Sequence, residues 1–169
     1  MSVNSEPNIH KLVICANVFV KRGSSLLMLR RSLAKTYLPG YVQPIGGKVH
    51  LDEDPLTCVK RELMEEAQIE VKNLRLKAIV TENKSKEDKT YQTNWQIFQF
   101  IGEYEGTTVG TTDEGELMWL SVEEIKKEKV ADSIASILDL LIDPQKGIIF
   151  AKYNYGKNNE IIEKDIQVA

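Results

Sequence analysis

The chain has no hydrophobic run long enough to cross a bilayer, no excess of basic charge, no cysteine framework and no internal repeat. Its longest apolar run, Leu12 to Val20, falls well short of the roughly 20 residues that a membrane helix needs. The opening MSVNSEPNIH is polar and lacks the basic and apolar regions of a secretory signal, so a cytoplasmic protein is expected. Lys and Arg number 22 against 25 Asp and Glu, for a formal net charge of -3 and a pI near 5.5. That balance argues against nucleic-acid polymers and anionic membranes as partners, which want a basic surface. It leaves room for a small anionic ligand held through a cation. Cys15 and Cys58 have neither CxxC nor metal-ligand spacing and read as reduced packing residues.

What remains is a chain of 169 residues, 42% hydrophobic and 28% charged, enough for one domain with a real core. Residues 1–10 read as a flexible leader. Leu12 to Val20 and Leu26 to Arg30 read as a strand hairpin around a turn in which Gly23 supplies the permissive backbone. Arg30 and Arg31 follow, and one of them, with Arg30 put forward, suits a phosphate contact because arginine presents forked donors. Leu38 to Gln43 holds a Pro-Gly turn and a short extended piece, and Pro44 to Gly47 reads as a second tight turn. His50 reads as an exposed loop histidine.

Next comes the segment with the strongest signal, Ile45 to Ile69. Asp54 before Pro55 makes an N-cap and first helical residue. Leu56, Val59, Leu63 and Ala67 recur at spacings of three and four, which predicts an apolar stripe facing a core. At roughly 100° per residue, Glu62, Glu65 and Glu66 share a sector beside that stripe, with Arg61 just beyond it. Like charges so spaced repel, and the helix dipole disfavours anions near a C-terminus. Clustered carboxylate oxygens suit hard divalent cations, so a metal site is the leading reading over a solvated acidic face.

Downstream, Leu74 to Val80 and Thr90 to Tyr104 read as strands separated by a charged loop over 83–89. Tyr91, Trp95, Phe98 and Phe100 are mainly core candidates, with Trp95 put forward as a ring to stack a base. A Gly- and Thr-rich loop leads to Glu114 and Glu116. Ser121 with Glu124 makes a capping box, and Ile134, Ile137, Leu138 and Leu141 mark another amphipathic helix ending at Asp143-Pro144. Ile148 to Tyr155 and the stretch from Ile161 read as a hairpin that caps the fold or builds a dimer.

The central segment resembles the signature of the Nudix (MutT-like) hydrolase family, GX5EX7REUXEEXGU with U a bulky apolar residue. Gly47, Glu53, Arg61, Glu62, Leu63, Glu65, Glu66 and Ile69 keep every spacing, and Gln68 stands where the late glycine would. The resemblance implies an α/β/α sandwich with a mixed sheet, of class α/β, over 11–145, with 146–169 a hairpin extension packed on the same domain. It implies Mg2+, replaceable by Mn2+, bound through Glu62, Glu65, Glu66 and the backbone of Gly46. Catalysis would fall to Glu62 and Glu65, with Glu114 a rival for the general base and Glu116 its alternate. Arg61 would orient a glutamate, Glu53 would tie loop to helix, and Gly47 would be structural. The expected reaction is hydrolysis of a nucleoside diphosphate linked to X, foremost a nucleoside triphosphate, oxidised or not, giving the monophosphate and pyrophosphate. ADP-ribose or a nucleotide sugar, a non-catalytic nucleotide-binding module and an isoprenoid diphosphate isomerase are the alternatives, in a monomer or homodimer.

Overall fold

The computed structural model describes residues 11–84, 93–107, 109–156 and 160–169. The leader at 1–10, Tyr91, residues 85–89 and the turn at 157–159 lie outside the described residues. The axis of the fold is strand β1 (Lys11–Arg22), whose even-numbered Ala16, Val18 and Val20 face one side and Phe19 the other, all buried. A strand covered on both faces reads as one continuous apolar run, which is why Leu12 to Val20 shows no alternation. One edge of β1 pairs in parallel with a strand at Thr93–Glu103, and the other edge is divided between two antiparallel partners, Ser25–Arg31 and Ile45–Lys48.

In chain order the strands after β1 are β2 (Ser25–Arg31), β3 (Val42–Gln43), β4 (Ile45–Lys48), β5 (Lys72–Lys84), β6 (Thr93–Glu103), β7 (Gly115–Ser121), β8 (Ile149–Tyr155) and β9 (Ile161–Val168). They form one mixed sheet of nine strands among the described residues, in which β3-β2-β1-β6-β5-β8-β9 is the main path and β7 lies on β2. Gly23 makes the β1-β2 turn at a φ of 60°. The C-terminal hairpin joins the sheet, because β8 runs parallel to β5 and carries β9 as the outer strand.

Helix α1 (Pro55–Glu62) lies on one face and α3 (Asp132–Ile142) on the other, with the short α2 (Val122–Ile125) leading to α3. Cys58, Val59, Leu63 and Ala67 pack on Ala16, Val18, Val20, Ile45 and Phe100. Ile134, Ile137, Leu138 and Leu141 pack on Phe19, Ala78, Val80 and Ile149. The Val, Leu, Ile and Phe side chains among these each contribute about 1.5–3 kcal/mol when fully buried. The result is an α/β/α sandwich. Ser121 caps α2 reciprocally, its Oγ accepting from Glu124 N at 3.3 Å while Glu124 Oε2 accepts from Ser121 N at 2.8 Å. No helix among the described residues is long and apolar enough to cross a membrane.

Two local features differ from the sequence reading, and a third, in β5, was not part of it. Pro44 to Gly47 does not close a turn: Ile45–Lys48 is a strand whose glycines pair with Ala16 and Asn17 of β1. Leu56 is 40% exposed, and Cys58 takes its place in the buried stripe, because the strand bearing Gly47 and Lys48 crosses the helix on the Cys58 side. In β5, the register with β6 shifts between Lys72 and Arg75 and again between Leu76 and Ala78, so Leu76 faces α1 while Ala78 and Val80 face α3. A bulge inverts alternation in this way. The buried Lys77 beside it donates to the carbonyls of Asp143 and Lys146 at 2.9 and 2.6 Å, tying β5 to the end of α3.

Candidate active site

Asp54 starts α1 by accepting from the N–H groups of Leu56 and Thr57 at 2.8 and 3.0 Å, with Pro55 at the first helical position. The helix does not continue regularly. Leu63–Ala67 forms one turn of π-helix, closed by Gln68 N–H to Leu63 O, and Gln68 itself adopts the left-handed conformation at φ 55°. A π-turn winds less per residue than an α-turn and often marks a functional site. Here it separates the acids that a uniform helix would place together. Glu66 is buried, the Glu62 side chain is 12% exposed, and the Glu65 side chain stands out at 57%.

The glycine strand is shaped to receive the two inner carboxylates. A Cβ on Gly47 would lie 2.1 Å from Glu62 Oε1, so any side chain there would displace that carboxylate. Gly46 has a φ of 151°, and a Cβ on it would lie 2.3 Å from Ala16 O, so glycine is required on both counts. Its N–H donates to Glu66 Oε2 at 3.3 Å.

Arg61 holds the cluster from the other side. Its Nε and Nη2 make a forked pair with Glu53 at 3.1 and 2.7 Å, while Nη1 donates to Glu62 at 2.8 Å and Glu65 at 3.0 Å. Glu53 Oε1 also accepts from His50 N at 2.9 Å, which fastens the loop to the helix. The guanidinium, helped by that N–H, lowers the Glu53 pKa to about 2. Burial raises the Glu62 pKa against the opposing pull of Arg61. Burial and then the charge of Glu62 raise Glu66 to about 8. Two partly desolvated acids facing each other are a place where a cation would be stabilised.

The acids open onto a cleft of about 730 Å3. Its walls include Gly46, Gly47, Lys48, Arg31 and the loop from Thr111 to Glu114, with His50 at the edge. Glu114 faces Glu66 across this space and bonds Lys35 Nζ at 2.6 Å. Among the described residues, no three His, Cys, Asp or Glu side chains already converge as a closed metal cage. Arg61 and the Gly46 N–H occupy some of the oxygens instead. The donor set nevertheless suits a hard divalent ion, which takes carboxylate oxygens and keeps sites for water and phosphate.

Among the residues singled out from sequence, Gly46, Gly47, Glu62, Glu65, Glu66 and Glu114 line this cleft, and Arg61, itself held by Glu53, bonds Glu62 and Glu65 from outside the lining. Arg30 does not. It binds Glu128 at 2.9 Å and its guanidinium approaches Met118 Sδ, while its neighbour Arg31 lines the cleft. The alternation of β2 explains the correction: Arg30 shares the α3 side with Leu26 and Met28, so Arg31 must point the other way. Glu116 pairs across from Arg30 on β7 and lies outside the cleft. Trp95 lines an adjoining cavity of about 500 Å3, which shares Arg31, Gly46, Gly47 and Lys48 with the cleft. Tyr37 stacks with Trp95 there, with ring centroids 6.3 Å apart and planes at 16°. Tyr37, Asn17 and Gln99 escaped the sequence reading. Gln99 had a signal, as a polar residue between Phe98 and Phe100 in a buried strand.

Comparison with known proteins agrees with this geometry. The family model described as the NUDIX domain matches residues 9–141. The uncharacterized Nudix hydrolase YvcI of Bacillus subtilis (strain 168) is 30% identical over 118 residues, which cover 69% of this chain and 73% of that protein. The mutator MutT protein of Bacillus halodurans superposes with a TM-score of 0.78 at 24% identity, over 92% of this chain and 97% of the other. The MutT protein of Methanosarcina mazei Go1 gives 0.63 at 24% identity, over 78% and 93%. The chain therefore belongs to the Nudix hydrolase family, enzymes that act on pyrophosphate bonds.

Proposed function

We propose that this enzyme hydrolyses the pyrophosphate linkage of a nucleoside triphosphate, oxidised or not, to the monophosphate and pyrophosphate, using Mg2+ or in its place Mn2+. The observation that carries the reading is the junction of two unlike spaces: a cavity lined by aromatic rings and amides, with Glu82 its one carboxylate, adjoins through Gly46, Gly47 and Lys48 a cleft lined by Glu62, Glu65, Glu66, Asp113 and Glu114. A base and a phosphate chain make the same contrast of chemistry within one molecule. The likeness to proteins named MutT points the same way.

Glu62 and Glu66 would hold the cation, with Glu65 a further ligand or the general base. A bound divalent ion offsets anhydride charge, polarises phosphorus and acidifies water. Arg31 and Lys48 stand where they can meet phosphate oxygens. Water's oxygen bonds to phosphorus, the bridging P–O bond breaks, and the proton passes to a glutamate. Glu65 is the better candidate, since its side chain is the most exposed of the three helix acids, and Glu114 is the rival across the cleft. Arg61 and Glu53 position the acids without touching substrate. Nucleoside triphosphates, oxidised triphosphates, ADP-ribose, dinucleoside polyphosphates and NADH, assayed side by side with magnesium, test the reading. It expects the highest kcat/KM on a triphosphate; a higher value on ADP-ribose would overturn the substrate assignment.

A further inference from the structure

Gln99 lies on β6 with 2% of its surface exposed, and its Oε1 is a buried acceptor without a partner among the described residues. A buried polar group left unpaired destabilises a fold, so its retention asks for an explanation. The atom belongs to a residue that lines the aromatic cavity. Register places Gln99 beside Asn17 of β1, and both share the sheet face of Trp95 and Ile97. At about 500 Å3 the cavity falls within the range of roughly 300–1,000 Å3 typical of ligand sites. Its wall combines the stacked Tyr37 and Trp95 rings with the amides of Asn17, Gln43 and Gln99 and one carboxylate of its own, Glu82, while Arg31 and Lys48 are shared with the acid cleft.

We infer that Gln99 is a specificity-determining residue whose Oε1 accepts from the exocyclic amine of a purine lodged against Trp95. The inference rests on the nucleotide reading above and names the group that would choose among bases. An uncharged planar heterocycle suits this wall, since stacking covers its faces and an amide meets its edge. Oε1 itself is sealed from solvent, so the amide turns about its terminal bond to present it to the cavity, where the amine of a base gives it the partner it lacks.

The test uses nucleoside monophosphates, which have no anhydride to cleave, so binding is read independently of turnover. Calorimetry would compare AMP with purine riboside monophosphate, and GMP with IMP, each pair differing by one exocyclic amine. Wild type should favour the amine in one pair by at least about tenfold, and Gln99→Met and Gln99→Leu should abolish that preference. Both variants should melt at or above the wild-type temperature, because they remove an unpaired buried acceptor. A structural role predicts the reverse, a melting temperature several degrees lower. Wild type indifferent to the amine in both pairs, variants that keep the preference, or variants that unfold would each overturn the inference. If amine-dependent binding is found but no triphosphate is hydrolysed, the proposed reaction fails while the role of Gln99 stands.

Discussion

The acid cleft and the aromatic cavity are neighbours, yet they handle buried polarity in opposite ways. In the cleft, Arg61 engages three glutamates and the glycine strand meets the fourth, so each of these acids has a partner while the two innermost remain strained by desolvation. In the cavity, one amide oxygen is buried with none among the described residues. The first arrangement is internally satisfied and suits a catalytic apparatus whose geometry must hold between turnovers. The second is incomplete by one hydrogen bond, which is how a recognition surface favours the ligand that completes it.

Glu66→Gln separates the two regions most sharply. It keeps the shape but removes the charge of a proposed metal ligand, so turnover should fall by about a hundredfold or more, exceeding the loss expected for an outer partner. Binding of AMP should change little and thermal stability should not fall, as a desolvated acid is exchanged for a neutral amide. A normal rate at limiting magnesium would contradict the assignment.

Gly47→Ala attacks the same cleft through the backbone. The added methyl lands 2.1 Å from Glu62 Oε1, so the carboxylate must shift. Stability should drop by about 1–3 kcal/mol, with kcat lowered and the cavity's base preference intact. Chemical denaturation with parallel kinetics checks both.

A pH series examines the Arg61 clamp when wild type is compared with Glu53→Gln, since Asp54, Glu105 and Glu124 are also held below the usual carboxylate range and contribute to the same acid decline in both proteins. Glu53 has a folded value of about 2 against an ordinary 4.5, so its stabilising contribution is present in full above 4.5 and is lost as pH falls toward 2. Thermal denaturation between those limits should show a decline that Glu53→Gln flattens. An unchanged profile in that variant would remove Glu53 from the account.

Gln68→Gly should have the smallest effect. Gln68 holds a left-handed φ of 55°, so glycine relieves strain of up to about 1 kcal/mol. Its side chain, however, lies against Gly110, where an added Cβ would come within 2.7 Å of it. A modest gain in stability with unchanged turnover is expected; a loss would mean that the contact at Gly110 outweighs the strain.

The same contrast explains what could be read from sequence. The cleft's acids and glycines lie close together in the chain, on one strand-loop-helix unit, so their spacing survives as a pattern. The cap at Asp54, the box at Ser121 and the α3 stripe are equally local. What escaped is non-local or breaks a period. A π-turn hides inside helical spacing, and the β5 bulge swaps faces without any proline or glycine to announce it. Gly46 and Gly47 resemble a turn until β1 pairs with them. The cavity collects Asn17, Tyr37, Trp95 and Gln99 from separate segments, and neutral residues leave no charge pattern to follow. Arg30 and Arg31 were separable in principle, because the parity of Leu26 and Met28 assigns Arg30 to the α3 side.

The most direct measurement is a crystal structure with magnesium and a non-hydrolysable nucleoside triphosphate. The account predicts oxygens of Glu62 and Glu66 about 2.1 Å from an ion that also touches the phosphates, with the base lying along Trp95. Phosphates bound away from the glycine strand, with both acids still held only by Arg61 and the Gly46 amide, would contradict it.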